Sequence, residues 1–181
     1  MDDTRTSAAA AVAALGNLMR ASDGEVPTTV GQLFLWNEVV SLGATAGSVE
    51  KRFLDDPTLP GFIVHAGGQV AGILSRRTLL TAISQPFGRE VFIKRPLHEL
   101  VKKLDYKPLV LEANTSIPAA LRLAMARREE LRFEPCLVKT GENVSLLEMH
   151  TLMLAQANLL EEAMTSKDTL ITKIKAILGN Y

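Results

Sequence analysis

The sequence predicts an α+β fold: two β-α-β-β-α units packed side by side, a packed linker between them and a long helix at the end. Two observations carry this. A pattern of residue types recurs about 70 residues on. Each copy also holds two strand-length apolar runs around a glycine turn, flanked by stretches with apolar residues at helical three-to-four spacing. One such unit buries too little surface alone, whereas two side by side make a domain with a core.

Residues 1–24 come first. The stretch MDDTRTSAAAAVAALGNLMR is alanine-rich and opens on two aspartates instead of a basic region, which argues for a helical arm and against a secretory signal. Its larger apolar residues, Val12, Leu15, Leu18 and Met19, leave three roles open: covering a cleft, packing on the last helix, or pairing with another chain.

The first unit and its linker occupy residues 25–97. A β-rich piece, Glu38 to Leu42, ends at small turn residues, and the following helix carries Val49 and Phe53 on one face. The runs GFIVHA and QVAGILS then read as strands joined at Gly67-Gly68, and a second helix opens at RRTLLTAIS. The linker SQPFGREVFIKRPLHELVKKLDYKP is too apolar to be a free tether; Phe87, Val91, Phe92 and Leu97 predict that it packs on the units.

The second unit occupies residues 98–158 and repeats the order. Its short strand is Pro108 to Leu111, its first helix carries Ile117, Leu121, Ala124 and Met125, its strand pair is EPCLVK and NVSLLEM, and its last helix opens at MHTLMLAQAN. TTVGQLF, from Thr28, resembles RPLHELV, from Arg95, at an offset of 67; Thr45 falls on Thr115; FIVHAGG faces CLVKTGE at 74; and GQVAGILSRRTLL meets GENVSLLEMHTLM without a gap at 73. Small loop insertions give such a drift.

Residues 159–181 close the chain as an amphipathic helix continuing the last helix of the second unit. From Leu152 and Met153 through Leu159, Leu160, Ala163, Met164, Leu170, Ile171, Ile174, Ile177 and Leu178, apolar residues recur at helical spacing with no proline between them. The seam folds back on its own domain or pairs with a second helix, in a homodimer or a signalling partner. Where such a helix leads to an output domain in longer proteins, this chain works in trans or is part of something longer.

Composition narrows the function. Lys+Arg and Asp+Glu are 20 each, so no global charge draws nucleic acid or an anionic membrane. No run of about 18 apolar residues is present to span a bilayer. The single Cys136 rules out an intramolecular disulfide, agrees with a reducing cytoplasm, and lies in an apolar run where packing explains it. His65, His98 and His150 lack metal-ligand spacing, Asp55-Asp56 reads as a turn beside prolines, and no nucleophile-and-base motif or phosphate loop occurs, so catalysis has no support.

Across about Thr28 to Asn158 the chain resembles a tandem cystathionine-β-synthase (CBS) domain pair. The resemblance rests on VGQLF…VVSLGATAGSVEKRFLDDPTLPGFIVHAGGQVAGILSRRTLL and its echo PLVLEANTSIPAALRLAMARREELRFEPCLVKTGENVSLLEMHTLM. The link PFGREVFIKRPLHEL looks like CBS pairs attached to bacterial signalling proteins. The resemblance implies a non-enzymatic regulatory module that binds an adenine nucleotide between repeats or dimerises. Nucleotide-binding members carry Gly-apolar-apolar-Ser/Thr-x-x-Asp after the third strand. The first repeat reads Gly72-Ile73-Leu74-Ser75-Arg76-Arg77-Thr78, with Thr78 in place of the Asp. The second reads Ser145-Leu146-Leu147-Glu148-Met149-His150-Thr151, losing the glycine and the hydroxyl as well. A threonine hydroxyl does not replace a carboxylate that accepts from two ribose hydroxyls, and Glu148 repels a phosphate.

Gly72, Ser75, Arg76, Arg77 and Thr78 are therefore the candidate ligand residues. A helix start with two guanidiniums suits an anion. The competing account is that Ser75 caps the helix and the arginines are solvated. On that account the module is a dimerisation or docking unit with no cofactor.

Overall fold

The computed structural model describes residues 25–103 and 107–178. The expected N-terminal arm and the extreme C-terminus lie outside the described residues. The first repeat consists of β1 (Val39–Ser41), α1 (Ala46–Asp55), β2 (Gly61–Ala66), β3 (Gln69–Ser75) and α2 (Arg76–Ser84). The linker holds two short helices, α3 (Gly88–Phe92) and α4 (Leu97–Val101). The second repeat follows as β4 (Val110–Glu112), α5 (Ile117–Met125), β5 (Cys136–Thr140), β6 (Asn143–Leu147) and α6 (Met149–Leu178). The β-α-β-β-α order is thus present twice.

Local chemistry sets these boundaries. Thr45 caps α1 by accepting from the Ser48 amide, and Ser75 caps α2 by accepting from Thr78. The β2–β3 turn needs positive φ at Gly67 and Gly68, and the β5–β6 turn needs it at Gly141, conformations that glycine adopts without a Cβ penalty. Each repeat forms its own three-stranded sheet. β1 runs parallel to β2, which pairs antiparallel with β3, and β4, β5 and β6 repeat the scheme.

The first repeat closes over Val49, Phe53, Phe62, Leu74 and Leu79, and the second over Ile117, Ala124, Cys136, Leu147 and Leu152. A third cluster, Ile63, Ile73, Leu137 and Leu146 with Trp36 against it, joins the two sheets. Trp36 and Leu146 also exchange both backbone hydrogen bonds, each at 2.8 Å.

The segments that open each repeat in sequence are exchanged in space. Val30 and Leu33 belong to the core of the second repeat, and Leu97 and Leu100 to the core of the first. The Val30 and Gly31 amides donate to the Thr115 and Ala113 carbonyls, while the Leu97 and His98 amides donate to Ala44 and Leu42. A boundary drawn at residues 97 and 98 therefore falls inside a segment that packs on the first repeat. Each strand-to-helix corner leaves backbone groups unpaired, and the crossing segment satisfies them.

The linker packs as expected through Phe92 and Leu97, with Val91 partly buried. Phe87 departs from the expectation: it sits at φ 60° with 78% of its surface exposed. Gly88 beside it packs so tightly that a Cβ would lie 2.2 Å from the Ala82 carbonyl oxygen, and this fixes the turn that throws Phe87 outward.

Candidate functional site

The C-terminal ends of β3 and β6 meet at one cleft between the repeats. It measures about 270 Å³, and its walls include Pro60, Ser75, Arg76, Arg77, Glu134 and Glu148. Ser75 and Glu148, read from sequence as members of two separate sites, line the same cavity. Gly72 and Thr78 do not line it; Gly72 is buried within β3, opposite Val64 of β2.

The start of α2 is satisfied from within the protein. The Ser75 hydroxyl, 2% exposed, accepts from the Thr78 amide at 2.9 Å, and the Arg76 amide donates to the Pro60 carbonyl at 2.9 Å. Arg76 is not solvated. Its guanidinium donates to three carbonyls: Leu59 (3.1 Å), Phe53 (2.9 Å) and Asp56 (2.7 Å). The same group lies 4.7 Å from the centre of the Phe53 ring. Arg76 thus ties the C-terminal end of α1 to the start of α2, where helix carbonyls lack intrahelical donors. Asp56, which ends α1, accepts from the Thr58 amide and hydroxyl, and those bonds hold its carboxyl below the usual carboxylate range.

Arg77 is exposed and is the cleft residue whose charge suits an anion. Two carboxylates share the cleft with it. Glu148 lines it, and so does Glu134, which is 4% exposed and accepts from the Thr78 hydroxyl at 3.3 Å. Sequence reading did not single out Glu134, because a glutamate before a proline carries no local signal; only the packing of the repeats brings it to Thr78. With the Arg76 guanidinium already given to three carbonyls, Arg77 beside two carboxylates in about 270 Å³ is a poor seat for a phosphate, and the volume sits below the usual range for small-molecule sites, roughly 300–1,000 Å³.

A larger cleft of about 560 Å³ lies between the two strand-pair turns, lined by Asn37, His65, Thr140, Glu142, Asn143 and Ser145 among others. None of the sequence-predicted site residues reaches it. Cys136 is fully buried, with Sγ 3.9 Å from Sδ of Met149, and burial pushes its thiol up to about 11, far from a reactive thiolate. Among the described residues no group of three or more His, Cys, Asp or Glu is placed to hold a metal, and no helix is long and apolar enough to cross a membrane.

The fold is that of a tandem CBS domain pair. A CBS-domain containing protein from Agrobacterium tumefaciens superposes with a TM-score of 0.54 at 18% identity, over 71% of this chain and 93% of that one. A CBS domain-containing protein from Thermotoga maritima gives 0.54 at 20% identity, over 70% and 92%. CBSX2, solved in complex with AMP, gives 0.54 at 19% identity, over 74% and 98%. No family model and no curated protein matches the sequence.

The last helix runs past the core of the second repeat. α6 begins in the core of the second repeat with Met149, Leu152 and Ala155, then continues as an uninterrupted helix to Leu178. Every residue from Leu160 to Leu178 is exposed.

Proposed function

We propose that this chain is a non-enzymatic, cytoplasmic regulatory module of the CBS-pair type. It acts in bacterial signalling through dimerisation or partner docking by its last helix. The observation that carries this reading is α6 beyond Leu159: a stretch of about five turns with Leu160, Met164, Leu170, Ile171, Ile174, Ile177 and Leu178 between 39% and 69% exposed. In proteins most of a helix's stability comes from packing an amphipathic face, and an exposed apolar stripe marks an interaction surface. Light scattering over a dilution series tests it. The full chain is expected to be dimeric and a chain ending at Leu159 monomeric; the same state for both would overturn the reading.

A second reading, adenine-nucleotide sensing at the first repeat, draws support from the AMP complex of CBSX2 and from Arg77 at the mouth of a capped helix start. The engagement of Arg76 and the presence of Glu134 and Glu148 weigh against it. A thermal-shift screen of adenosine mono-, di- and triphosphate and plain phosphate decides between the two. No rise in melting temperature is expected, whereas a rise with one nucleotide that is lost in Arg77→Gln would establish the sensor.

A further inference from the structure

We infer that the exposed part of α6 pairs antiparallel with the α6 of a second copy of this chain. The inference rests on the docking reading above and names its partner and geometry. Along the exposed stretch, Leu160, Met164, Lys167, Ile171, Ile174 and Leu178 follow one another at alternating steps of four and three, the spacing of a two-helix seam. On one flank of that seam lie Ala163, Leu170 and Ile177, and on the other Glu161, Asp168 and Lys175. The outer face is satisfied by its own helix: the Thr165, Thr169 and Thr172 hydroxyls donate to the Glu161, Thr165 and Asp168 carbonyls at 3.0, 2.9 and 2.9 Å.

Orientation follows from charge. In a parallel pair each seam residue meets its own copy, so two Lys167 ammoniums share one buried layer. The charged flank of each helix then lies against the apolar flank of the other, which leaves Glu161, Asp168 and Lys175 unmatched. In an antiparallel pair Leu160 meets the partner's Leu178, Met164 the partner's Ile174, and Lys167 the partner's Ile171. Like flanks now face each other. Ala163 packs by the partner's Ile177 and Leu170 by its own copy, while Glu161 pairs with the partner's Lys175 at both ends of the interface. Asp168 meets its own copy at the two-fold axis, with a Lys167 ammonium from each chain within one turn of it. Opposed helix dipoles add to the preference.

The exposed stretch is also centred on Thr169, so inversion about that residue covers it end to end with no overhang. A surface complementary to its own inverted copy is what a closed two-fold interface requires. An arbitrary partner helix would not need acidic residues toward one end (Glu161, Glu162) and basic residues toward the other (Lys173, Lys175).

The test uses the full chain. Glu161→Lys and Lys175→Glu each place like charges at both ends of the antiparallel pair, and each is expected to raise the dimer dissociation constant about tenfold, as two partly screened pairs of roughly 0.5–1 kcal/mol would. The double variant restores the opposite pairing and is expected to return the constant to within about threefold of the starting value. A spin label on Glu161→Cys, with buried Cys136 silent, should report a separation of roughly 20–25 Å between the two copies, against about 10 Å for a parallel pair. A short separation, or a double variant no tighter than the singles, in a dimer that still depends on α6 overturns this inference and leaves the docking reading standing. An assembly state indifferent to removal of α6 after Leu159 overturns both.

Discussion

The two repeats share one backbone plan but solve its hardest corner with different residues. At the start of α2 the first repeat places Arg76, whose guanidinium lies against Phe53 and collects the carbonyls of Phe53, Asp56 and Leu59. Phe53 in turn packs on Phe62 with ring centres 4.8 Å apart. At the matching position the second repeat has Met149, 3% exposed, in contact with Cys136, which matches Phe62. The helix-end carbonyls there are collected by Arg127, reaching from the loop after α5 to Ala124 (3.1 Å), Glu134 (2.7 Å) and Arg132 (3.3 Å). What is conserved between the copies is the need, a helix end and a loop whose carbonyls must be satisfied. An arginine at the mouth of a cleft can therefore belong wholly to the fold.

Removing each arginine breaks this comparison most severely. Arg76→Ala strands three carbonyls and a ring face, and is expected to cost about 3 kcal/mol of stability in urea unfolding. Arg127→Ala, whose bond to Arg132 is long and exposed, is expected to cost about 2 kcal/mol. Equal and small losses, below about 0.5 kcal/mol, would mean that water replaces both arginines without penalty.

The sulfur pair of the second repeat gives a test by pH. Burial raises the Cys136 thiol to about 11 from an ordinary value of 9.0. The unfolded chain therefore releases this proton first. The contribution is complete below about pH 9 and is lost as pH rises through about 11, on the order of 3 kcal/mol in all. Measured against Cys136→Ala, the wild-type curve should fall more steeply in that window; parallel curves would show that the thiolate is accommodated.

The smallest effects separate capping from ligand chemistry at the first repeat. Ser75→Ala removes the α2 cap and is expected to cost about 1 kcal/mol. Arg77→Gln, at an exposed position, is expected to change stability by less than about 0.5 kcal/mol. A larger loss for Arg77 than for Ser75 would mean that Arg77 carries a structural load not visible in its contacts.

The sequence alone determined the repeated β-α-β-β-α order, the glycine turns at Gly67-Gly68 and Gly141, the cap at Ser75, and the unbroken helical spacing of the final helix. These are written in local spacing, in residues that tolerate positive φ, and in hydroxyls that accept from an amide three residues on. Only the tertiary structure decided that Thr28–Phe34 packs on the second repeat and Arg95–Val101 on the first, that Ser75 and Glu148 share one cleft, that Glu134 faces Thr78, and that Arg76 is engaged while Arg77 is exposed. Each of these depends on partners 17 to 89 residues away along the chain. A pattern of residue types specifies which faces must be buried, but two near-equivalent repeats present similar faces, and which copy covers which is settled by the path of the chain and the carbonyls left unpaired along it.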